Sequence, residues 1–161
     1  MNETILITGA NAGLGKDTAR QLALLPETKK IYLACRNEAK AKVAKADLEE
    51  MTGRSIFEIM IVDVSKPASV RSAIANLSES VDALIMNAGG MGGKTPTELT
   101  ADGVSSIFAA NILGHSIMVD ELLKADKLKN VAMYASSEGA RGVKKMGMAR
   151  PELKSNSVDE F

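Results

Sequence analysis

The stretch that decides the fold is Thr8-Gly9-Ala10-Asn11-Ala12-Gly13-Leu14-Gly15, near the start of the chain. It follows a short run of β-forming residues, Thr4 to Thr8, and it leads into a helical pattern from Gly13 to Leu25. Glycines at such a point let the backbone turn sharply and let main-chain N–H groups approach an anion closely. The positive end of the helix dipole adds to that attraction. The stretch therefore predicts a turn that holds the pyrophosphate of a dinucleotide.

Two other interpretations of this turn are possible. The first is an ordinary tight turn that binds nothing. The second is a P-loop, because Gly15-Lys16 resembles the Gly-Lys pair of that motif. A P-loop would need Gly in place of Ala10 and Ser or Thr in place of Asp17, and without that hydroxyl a magnesium ion has no protein ligand. The sequence thus argues against a P-loop and leaves the ordinary turn as the alternative.

Short β-type runs alternate with helical patterns along most of the chain. We expect four further strands, over Lys30 to Cys35, Ile56 to Val62, Val81 to Met86 and Asn130 to Ala135. The helical patterns between them include a helix capped by Asn37 with a Glu38–Lys42 pair, a buried stripe (Val70, Ala73, Ile74, Leu77) and a long helix from Asp102 to Lys124. Strands separated by helices of this length imply βαβ units. The sequence therefore predicts one α/β domain with a mostly parallel sheet and helices on both faces.

The composition sets limits on function. The chain has 161 residues, 45% of them hydrophobic, which is enough to bury the core of one domain. Its 20 Lys and Arg balance 20 Asp and Glu, so we expect neither nucleic acid nor an anionic membrane surface as a partner. The single cysteine, Cys35, excludes an internal disulfide, and with only His115 beside it the sequence predicts no metal site.

We expect the protein to be cytoplasmic. Met1 to Ala10 has neither the basic region nor the long apolar region of a secretory signal. The longest uncharged stretch, Gly103 to Val119, carries Asn111 and His115 among other polar residues, which is unfavourable for a membrane span. These features predict a protein that does not enter the membrane.

The end of the second predicted strand bears on cofactor choice. The sequence there is Ala34-Cys35-Arg36-Asn37, with Lys40 one helical turn further on. A dinucleotide fold that prefers NAD usually places a carboxylate here, whereas an arginine accommodates the 2′-phosphate of NADP. Arg36 can pair with that phosphate through two N–H groups. We therefore expect NADP rather than NAD; the alternative is a solvated arginine at a strand end.

Several motifs together resemble those of the short-chain dehydrogenase/reductase family, in order and in placement. In chain order they are TGANAGLG, Arg36, Asp63-Val64, Asn87-Ala88-Gly89, Asn111 and Ser136-Ser137. The combination of ANAGLGKDTA with ACRN is most similar to the retinol dehydrogenase and protochlorophyllide reductase branch. The resemblance implies a Rossmann-type doubly wound parallel sheet and an NADP(H)-dependent oxidoreductase that interconverts a carbonyl and an alcohol.

The resemblance also implies which residues contact the cofactor. They are Thr8, Gly9, Asn11, Gly13, Leu14, Gly15, Arg36, Lys40, Asp63, Val64, Asn87, Ala88 and Gly89. In the family's pattern the three glycines of the first motif form the pyrophosphate turn, with Asn11 in support. Asp63 bonds the adenine, Val64 contacts it through the backbone, and Asn87 to Gly89 line the ribose.

Two residues are implied in catalysis: Ser137 would hydrogen-bond the reacting oxygen, and Asn111 would hold a water of the proton relay. Structural alternatives exist for these assignments. Asp63 can be a helix N-terminal residue, Asn111 can cap a helix irregularity, and the serine pair can be a polar strand end. We interpret His115 as a packed or capping histidine rather than a base, and Cys35 as a small strand residue rather than a nucleophile.

The sequence departs from the family at the proton donor, which is a Tyr followed four residues later by a Lys. Tyr32 is followed at that distance by Arg36 and Tyr134 by Glu138, and no Tyr follows Ser137. A sheet that ends at the fifth strand would also be incomplete and leave an apolar edge unpaired. We therefore interpret the chain as the N-terminal part of a longer reductase, with a dinucleotide-binding domain over 1–138 and a loop or insertion over 139–161.

Two alternatives to a reductase are an inactive relative and a non-catalytic NADP-binding module, such as a redox sensor. If the chain is a reductase, its partner is a small carbonyl or alcohol substrate. The sequence leaves the oligomeric state open; a homo-oligomer is one possibility that the resemblance implies, because the family's long helix around Asn111 commonly packs against a second copy.

Overall fold

The computed structural model describes residues 2–90, 98–137, 142–147 and 149. Its strands are β1 (Thr4–Thr8), β2 (Lys30–Cys35), β3 (Phe57–Ile61), β4 (Val81–Met86) and β5 (Leu128–Tyr134). Its helices are α1 (Gly13–Ala23), α2 (Glu38–Thr52), α3 (Pro67–Ala75), α4 (Ser106–Phe108) and α5 (Gly114–Lys124), with a π-helical turn over Ala109–Leu113 and a 3-10 turn over Lys144–Met146.

The five strands form one sheet in the order β3-β2-β1-β4-β5. All four strand pairs are parallel, as in the pairing of Ile5 with Ile31 on one side and with Ala83 on the other. Parallel pairing brings the carboxyl ends of all strands to the same edge, so the loops that follow them cluster there. The predicted doubly wound parallel sheet is confirmed.

The core consists of two layers, one on each face of the sheet. β1 contributes to both, because Ile5 and Ile7 point to one face and Leu6 to the other. The first layer includes buried residues of α1 and α2, and the second includes buried residues of α3 and α5. The sequence of a central strand that is buried on both faces is a continuous apolar run, and β1 has this pattern.

Side chains join β1 to β4 at both ends. At the start, the Asp82 carboxylate accepts hydrogen bonds from the backbone N–H groups of Glu3 (2.8 Å) and Thr4 (2.9 Å). At the other end, the hydroxyl of Thr8 accepts bonds from the two N–H groups that follow β4. The two strands are far apart in sequence, so these bonds hold together distant parts of the chain.

Several predicted boundaries require correction. The long helix begins at Ser106 and not at Asp102, because Gly103 takes a left-handed φ of +77° and the Ser105 side chain caps the helix at Phe108 N. The first helix ends at Ala23, two residues early. Two predicted strands were also wrong by one or two residues at each end: β3 spans Phe57–Ile61, and β5 spans Leu128–Tyr134.

Within the described part of the chain, β5 pairs only with β4 and forms the edge of the sheet. Its side chains are largely exposed; Val131 is 42% exposed and Met133 is 53% exposed. The expected apolar edge at the end of an incomplete sheet is therefore present.

By length and hydropathy alone, one helix among the described residues, Ser106–Lys124, could cross a membrane. A helix that packs on a protein core meets the same criterion, and Met118 and Leu122 of this helix are buried in the core layer beside β4. The expectation that the chain does not enter a membrane stays a prediction. Most of the predicted loop or insertion over 139–161 lies outside the described residues, and the boundary at 138 also stays a prediction.

Candidate functional site

The turn after β1 is built on backbone contacts that exclude side chains. Gly9 has a φ of +69°, and its N–H donates to the carbonyl of Ala34 at 2.8 Å. A Cβ at Gly15 would lie 2.5 Å from both the Gly9 carbonyl oxygen and the Asn87 side-chain nitrogen. Helix α1 can approach the turn this closely only because Gly15 has no side chain.

The N-terminus of α1 carries no cap of its own. Its N-cap residue is Ala12, no side chain accepts from its first-turn N–H groups, and no acidic residue lies in that turn. By contrast, the Asn37 side chain caps α2 by accepting from Lys40 N at 2.9 Å. The open N–H groups of α1 and the positive end of its dipole suit an external anion.

A groove of about 630 Å³ runs along the carboxyl edge of the sheet. Eight of the residues predicted to bind the cofactor line it: Gly9, Asn11, Arg36, Asp63, Val64, Asn87, Ala88 and Gly89. Eight further residues that the sequence did not single out for binding complete the lining: Ala12, Ala34, Cys35, Val62, Ser65, Gly90, Ser106 and Ala110. Three of these, Ala34, Cys35 and Val62, lie at a strand end or within one residue of it, which is the signal that could have identified them.

The groove lining does not include the remaining predicted residues. They are Thr8, Gly13, Leu14, Gly15, Lys40, Asn111 and Ser137. Leu14 is 81% exposed and Lys40 is exposed on the first turn of α2. Thr8 is fully buried below the turn. The contribution of these side chains to binding stays a prediction.

The wall at the end of β2 is formed by Cys35 and Arg36. Arg36 is exposed, and the ion pairs among the described residues include neither Arg36 nor Lys40. Cys35 is buried, and desolvation raises the pKa of its thiol to about 11 despite backbone hydrogen bonds from Ala10 and Asn11. The wall thus presents an available guanidinium and a protonated, unreactive thiol.

Asp63 stabilises the loop after β3. Its carboxylate accepts bonds from the Ser65 N–H (3.0 Å) and hydroxyl (2.7 Å), while its own N–H donates to the Ser69 hydroxyl at 3.0 Å. α3 begins at Pro67 with Lys66 as the N-cap residue, so Asp63 is not the residue that starts this helix. Oδ1 of the carboxylate accepts the two bonds from Ser65, and the residue still lines the groove.

The loop after β4 is held by Thr8. The Thr8 hydroxyl accepts bonds from the N–H groups of Asn87 and Ala88, both at 2.9 Å, and the Asn87 amide donates to the Thr8 carbonyl at 3.0 Å. These bonds place one wall of the groove relative to the first turn.

Asn111 lies inside the π-helical turn and holds the same loop further along, at Gly90. Its amide oxygen accepts from Gly90 N at 2.9 Å, and its amide nitrogen donates to Gly90 O at 2.8 Å. Its carbonyl oxygen accepts from the Tyr134 hydroxyl and from a ring nitrogen of His115. The helix irregularity foreseen as the alternative is therefore present, and Asn111 uses its side chain to hold the loop.

Ser137 lies at the carboxyl end of β5 and is exposed. Because Tyr134 pairs with Met86 and Ala135 N still donates to Met86 O, Ser137 emerges at the same edge as the loop after β4. Its proposed role in binding a substrate oxygen stays a prediction.

One residue that shapes the site, Gly114, was not singled out from the sequence. A Cβ there would lie 1.7 Å from the carbonyl oxygen of Val64, so α5 rests directly on the loop after β3. A glycine inside an apolar helical pattern gives no signal of such a contact, because the partner is 50 residues away in sequence.

The comparisons with known proteins agree with this geometry. The family model "short chain dehydrogenase" matches residues 3–147. Dehydrogenase/reductase SDR family member 12 of Bos taurus is 32% identical over 157 residues, which cover 96% of this chain and 48% of that protein. Retinol dehydrogenase 13 of Homo sapiens is 38% identical over 130 residues, which cover 79% of this chain and 38% of that protein. The chain thus spans less than half the length of these curated relatives.

Solved structures show the same fold. Levodione reductase superposes with a TM-score of 0.70 at 26% identity, covering 86% of this chain and 55% of that one. The NADPH-bound carbonyl reductase from chicken fatty liver superposes with a TM-score of 0.66 at 20% identity, covering 90% and 60%. The predicted family and its retinol dehydrogenase-like branch are confirmed, and the chain belongs to the short chain dehydrogenase family.

Proposed function

We propose that this chain is the cofactor-binding part of an NADP(H)-dependent oxidoreductase that interconverts a carbonyl and an alcohol. The observation that carries the proposal is the groove at the carboxyl edge of the sheet, with an open helix N-terminus at one wall and Arg36 at another. Grooves at this position of a doubly wound sheet are where dinucleotides bind.

The residues of the groove fit a dinucleotide. The close contacts at Gly9 and Gly15 leave the turn without side chains, so a pyrophosphate can approach the uncapped start of α1. Asp63 and Val64 line the part of the groove assigned to the adenine, and Asn87 lines the part assigned to the ribose. These residues would hold the cofactor through backbone and side-chain bonds.

The preference for NADP rests on Arg36. Its guanidinium is exposed at the groove, and β2 ends in Cys35, where an NAD-preferring site usually has a carboxylate. A free guanidinium beside the ribose would bind the extra phosphate of NADP through charge-assisted bonds. Relatives of the same fold whose structures contain NADPH, from chicken fatty liver and from Sphingobium yanoikuyae, support this preference.

When bound, NADPH would supply the hydride for the reduction of a carbonyl. On the protein side, Ser137 would donate a hydrogen bond to the substrate oxygen, and Asn111 would hold the loop after β4 in place through its two bonds to Gly90. A donor aimed at an oxygen that gains charge stabilises the transition state. Neither Tyr32 nor Tyr134 is followed four residues later by a lysine, and this observation favours a non-catalytic NADP-binding module as the second candidate.

Calorimetric titration of the whole chain with NADP and NAD tests the cofactor proposal. We expect Arg36→Gln to weaken NADP binding about ten- to a hundredfold and to leave NAD binding unchanged, because only NADP carries the extra phosphate. Arg36→Asp should shift the preference towards NAD. Arg71→Gln is the matched control, since Arg71 is an exposed arginine of α3 outside the groove. Equal NADP affinities in the wild type and both Arg36 variants would defeat the proposal.

A turnover assay separates the two candidate functions. The loss of NADPH absorbance is followed with a panel of small aldehydes and ketones, in the wild type and in Ser137→Ala. If the wild type turns over a member of the panel and Ser137→Ala lowers the rate, the result supports the reductase. Tight NADPH binding with no turnover on any member of the panel supports the binding module.

A further inference from the structure

His115 is a buried polar residue that the proposed function does not use. It lies on α5, is 1% exposed, and is the only histidine of the chain. Its Nε2 is 3.0 Å from the hydroxyl of Thr8, which is fully buried, and its Nδ1 is 3.3 Å from the carbonyl oxygen of Asn111. The ring therefore bridges β1 and the π-helical turn.

The direction of the two bonds follows from counting protons on Thr8. A hydroxyl oxygen has two lone pairs, and both are taken by the N–H groups of Asn87 and Ala88. The contact with His115 must then be one in which Thr8 donates its own proton. The other acceptor within reach, the Ile85 carbonyl, is more distant at 3.5 Å. Nε2 of His115 is thus an acceptor, and the ring proton sits on Nδ1, from which it is donated to Asn111 O.

The surroundings of the ring agree with a neutral imidazole. Thr8 faces it from β1, Asn111 from the π-helical turn, and Tyr134 from β5, with the tyrosine ring meeting it edge-on at 5.8 Å. None of the ion pairs among the described residues involves His115. Burial lowers the pKa of His115, which favours the uncharged form.

The ring joins two anchors of the same loop. Thr8 holds the beginning of the loop after β4, at Asn87 and Ala88, and Asn111 holds the same loop at Gly90. Asn87 to Gly90 line the groove. His115 contacts both anchors, so it fixes the distance between them.

We propose that His115 is a positioning residue of the dinucleotide site. Its ring is held as the Nδ1-protonated tautomer, which accepts a hydrogen bond from the Thr8 hydroxyl and donates one to the Asn111 carbonyl. These two bonds set the position of the groove wall formed by the loop after β4. The proposal deepens the proposed function and rests on it for the identity of the ligand. The tautomer itself follows from the contacts of the free protein.

The first test is nitrogen NMR of the whole chain with ¹⁵N-labelled histidine, at about pH 8, above the usual histidine pKa. The chain has one histidine, so the signals need no assignment. We expect a protonated Nδ1 and an unprotonated Nε2. A protonated Nε2, or the averaged signals of a ring that exchanges between tautomers, would overturn the proposal. This measurement needs no cofactor, so it can succeed even if NADP binding fails.

The second test measures NADPH affinity by calorimetry in three variants whose folding is checked by circular dichroism. His115→Asn keeps a donor for the Asn111 carbonyl but loses the hydrogen bond from Thr8. His115→Gln keeps an acceptor for the Thr8 hydroxyl but loses the hydrogen bond to Asn111. His115→Phe keeps a ring but loses both hydrogen bonds. We expect about tenfold weaker binding in each single-bond variant and a larger loss in His115→Phe.

The NADPH result has its own contrary outcome. A folded His115→Phe that binds NADPH as the wild type does would overturn the positioning role. If the wild type binds no NADPH, the proposed function fails while the tautomer remains testable. The two failures are therefore distinguishable.

Discussion

At the scale of single residues, the contact between Gly114 and Val64 shows how the site depends on a missing side chain. The two residues let α5 lie on the loop after β3 with no atom between helix and backbone. Since Val64 lines the groove, this contact also fixes the position of the groove wall formed by the loop after β3. The obstacle to a larger residue is a backbone carbonyl, which cannot move aside as a side-chain tip can.

We therefore predict that Gly114→Ala lowers the free energy of unfolding by about 3 kcal/mol, the upper end for groups inserted into a packed region. Urea unfolding followed by circular dichroism measures the change. Gly90→Ala is the control, because a Cβ at Gly90 meets no atom within 4 Å. Equal midpoints for the two variants would contradict the close contact.

Cys35 gives a second prediction at this scale. It is 2% exposed, and desolvation raises the pKa of its thiol to about 11. At neutral pH only about one thiol in ten thousand is then ionised, against about one in thirty for a free cysteine. We expect iodoacetamide to modify the folded chain far more slowly than the urea-unfolded chain, as measured by intact mass. Similar rates in both states would show that the thiol is accessible and ionised in the fold.

At the scale of elements, Arg54 closes the end of α1 from a distant part of the chain. It follows α2, and its guanidinium donates to the carbonyls of Ala23 (2.6 Å), Leu25 (2.9 Å) and Thr28 (2.7 Å). The last carbonyls of a helix lack partners within the helix, so the bond to Ala23 helps to complete the C-terminus of α1, and the bonds to Leu25 and Thr28 hold the segment that follows it.

We predict that Arg54→Lys destabilises the fold by about 2 kcal/mol, because a single ammonium cannot reach all three carbonyls as the planar fork does. Thermal unfolding gives the measurement. Arg71→Lys serves as the control, since Arg71 is exposed and, among the described residues, its ion pair is a single contact 3.4 Å from Glu121. Equal melting temperatures for Arg54→Lys and the wild type would rule out the capping role.

The elements that the sequence predicted are those whose signal is local. β1 and β2 have the expected bounds because their apolar runs are buried on both faces. The cap at Asn37 and the Glu38–Lys42 ion pair (2.7 Å) also lie where they were expected, since each depends on neighbours within four residues. For the same reason the glycine turn could be placed between β1 and α1.

The features that escaped the sequence depend on distant partners. The contact of Gly114 with Val64 and the three bonds of Arg54 join residues more than 20 positions apart. A helix irregularity at Asn111 was foreseen only as an alternative, and no helical period reveals the contacts that Asn111 makes there with Gly90 and Tyr134. The eight groove residues that the sequence predicted all lie within three positions after a strand, whereas Ser106 and Ala110, which lie in the helical region before α5, were missed.

At the scale of the whole molecule, His115 couples stability to pH. Burial lowers its pKa in the fold from the usual 6.5, so below about pH 6.5 the unfolded chain takes up a proton that the native state does not. The free energy of unfolding therefore falls as the pH falls through this window, by up to about 1.4 kcal/mol per pH unit.

Urea midpoints at about pH 7.5 and about pH 5.5 measure this loss. We expect the wild type to lose stability between them and His115→Gln to lose less, because it has no ring to protonate. The carboxyl groups with lowered pKa values, those of Asp17, Glu38 and Glu79, titrate at lower pH and do not contribute in this window. Identical slopes in the two proteins would mean that His115 does not titrate as burial predicts.

The bonds that join β1 to β4 at both ends also determine the order in which the molecule assembles. Pairing β1 with β4 closes a loop about three times as long as pairing β1 with β2, at an added entropic cost of about 1 kcal/mol. We therefore expect the half made of β1, β2 and β3 to form first and β4 to dock late, when Asp82 and Thr8 engage. Interactions that form after the rate-limiting barrier change mainly the unfolding rate, so substitutions of these two side chains should speed unfolding more than they slow folding.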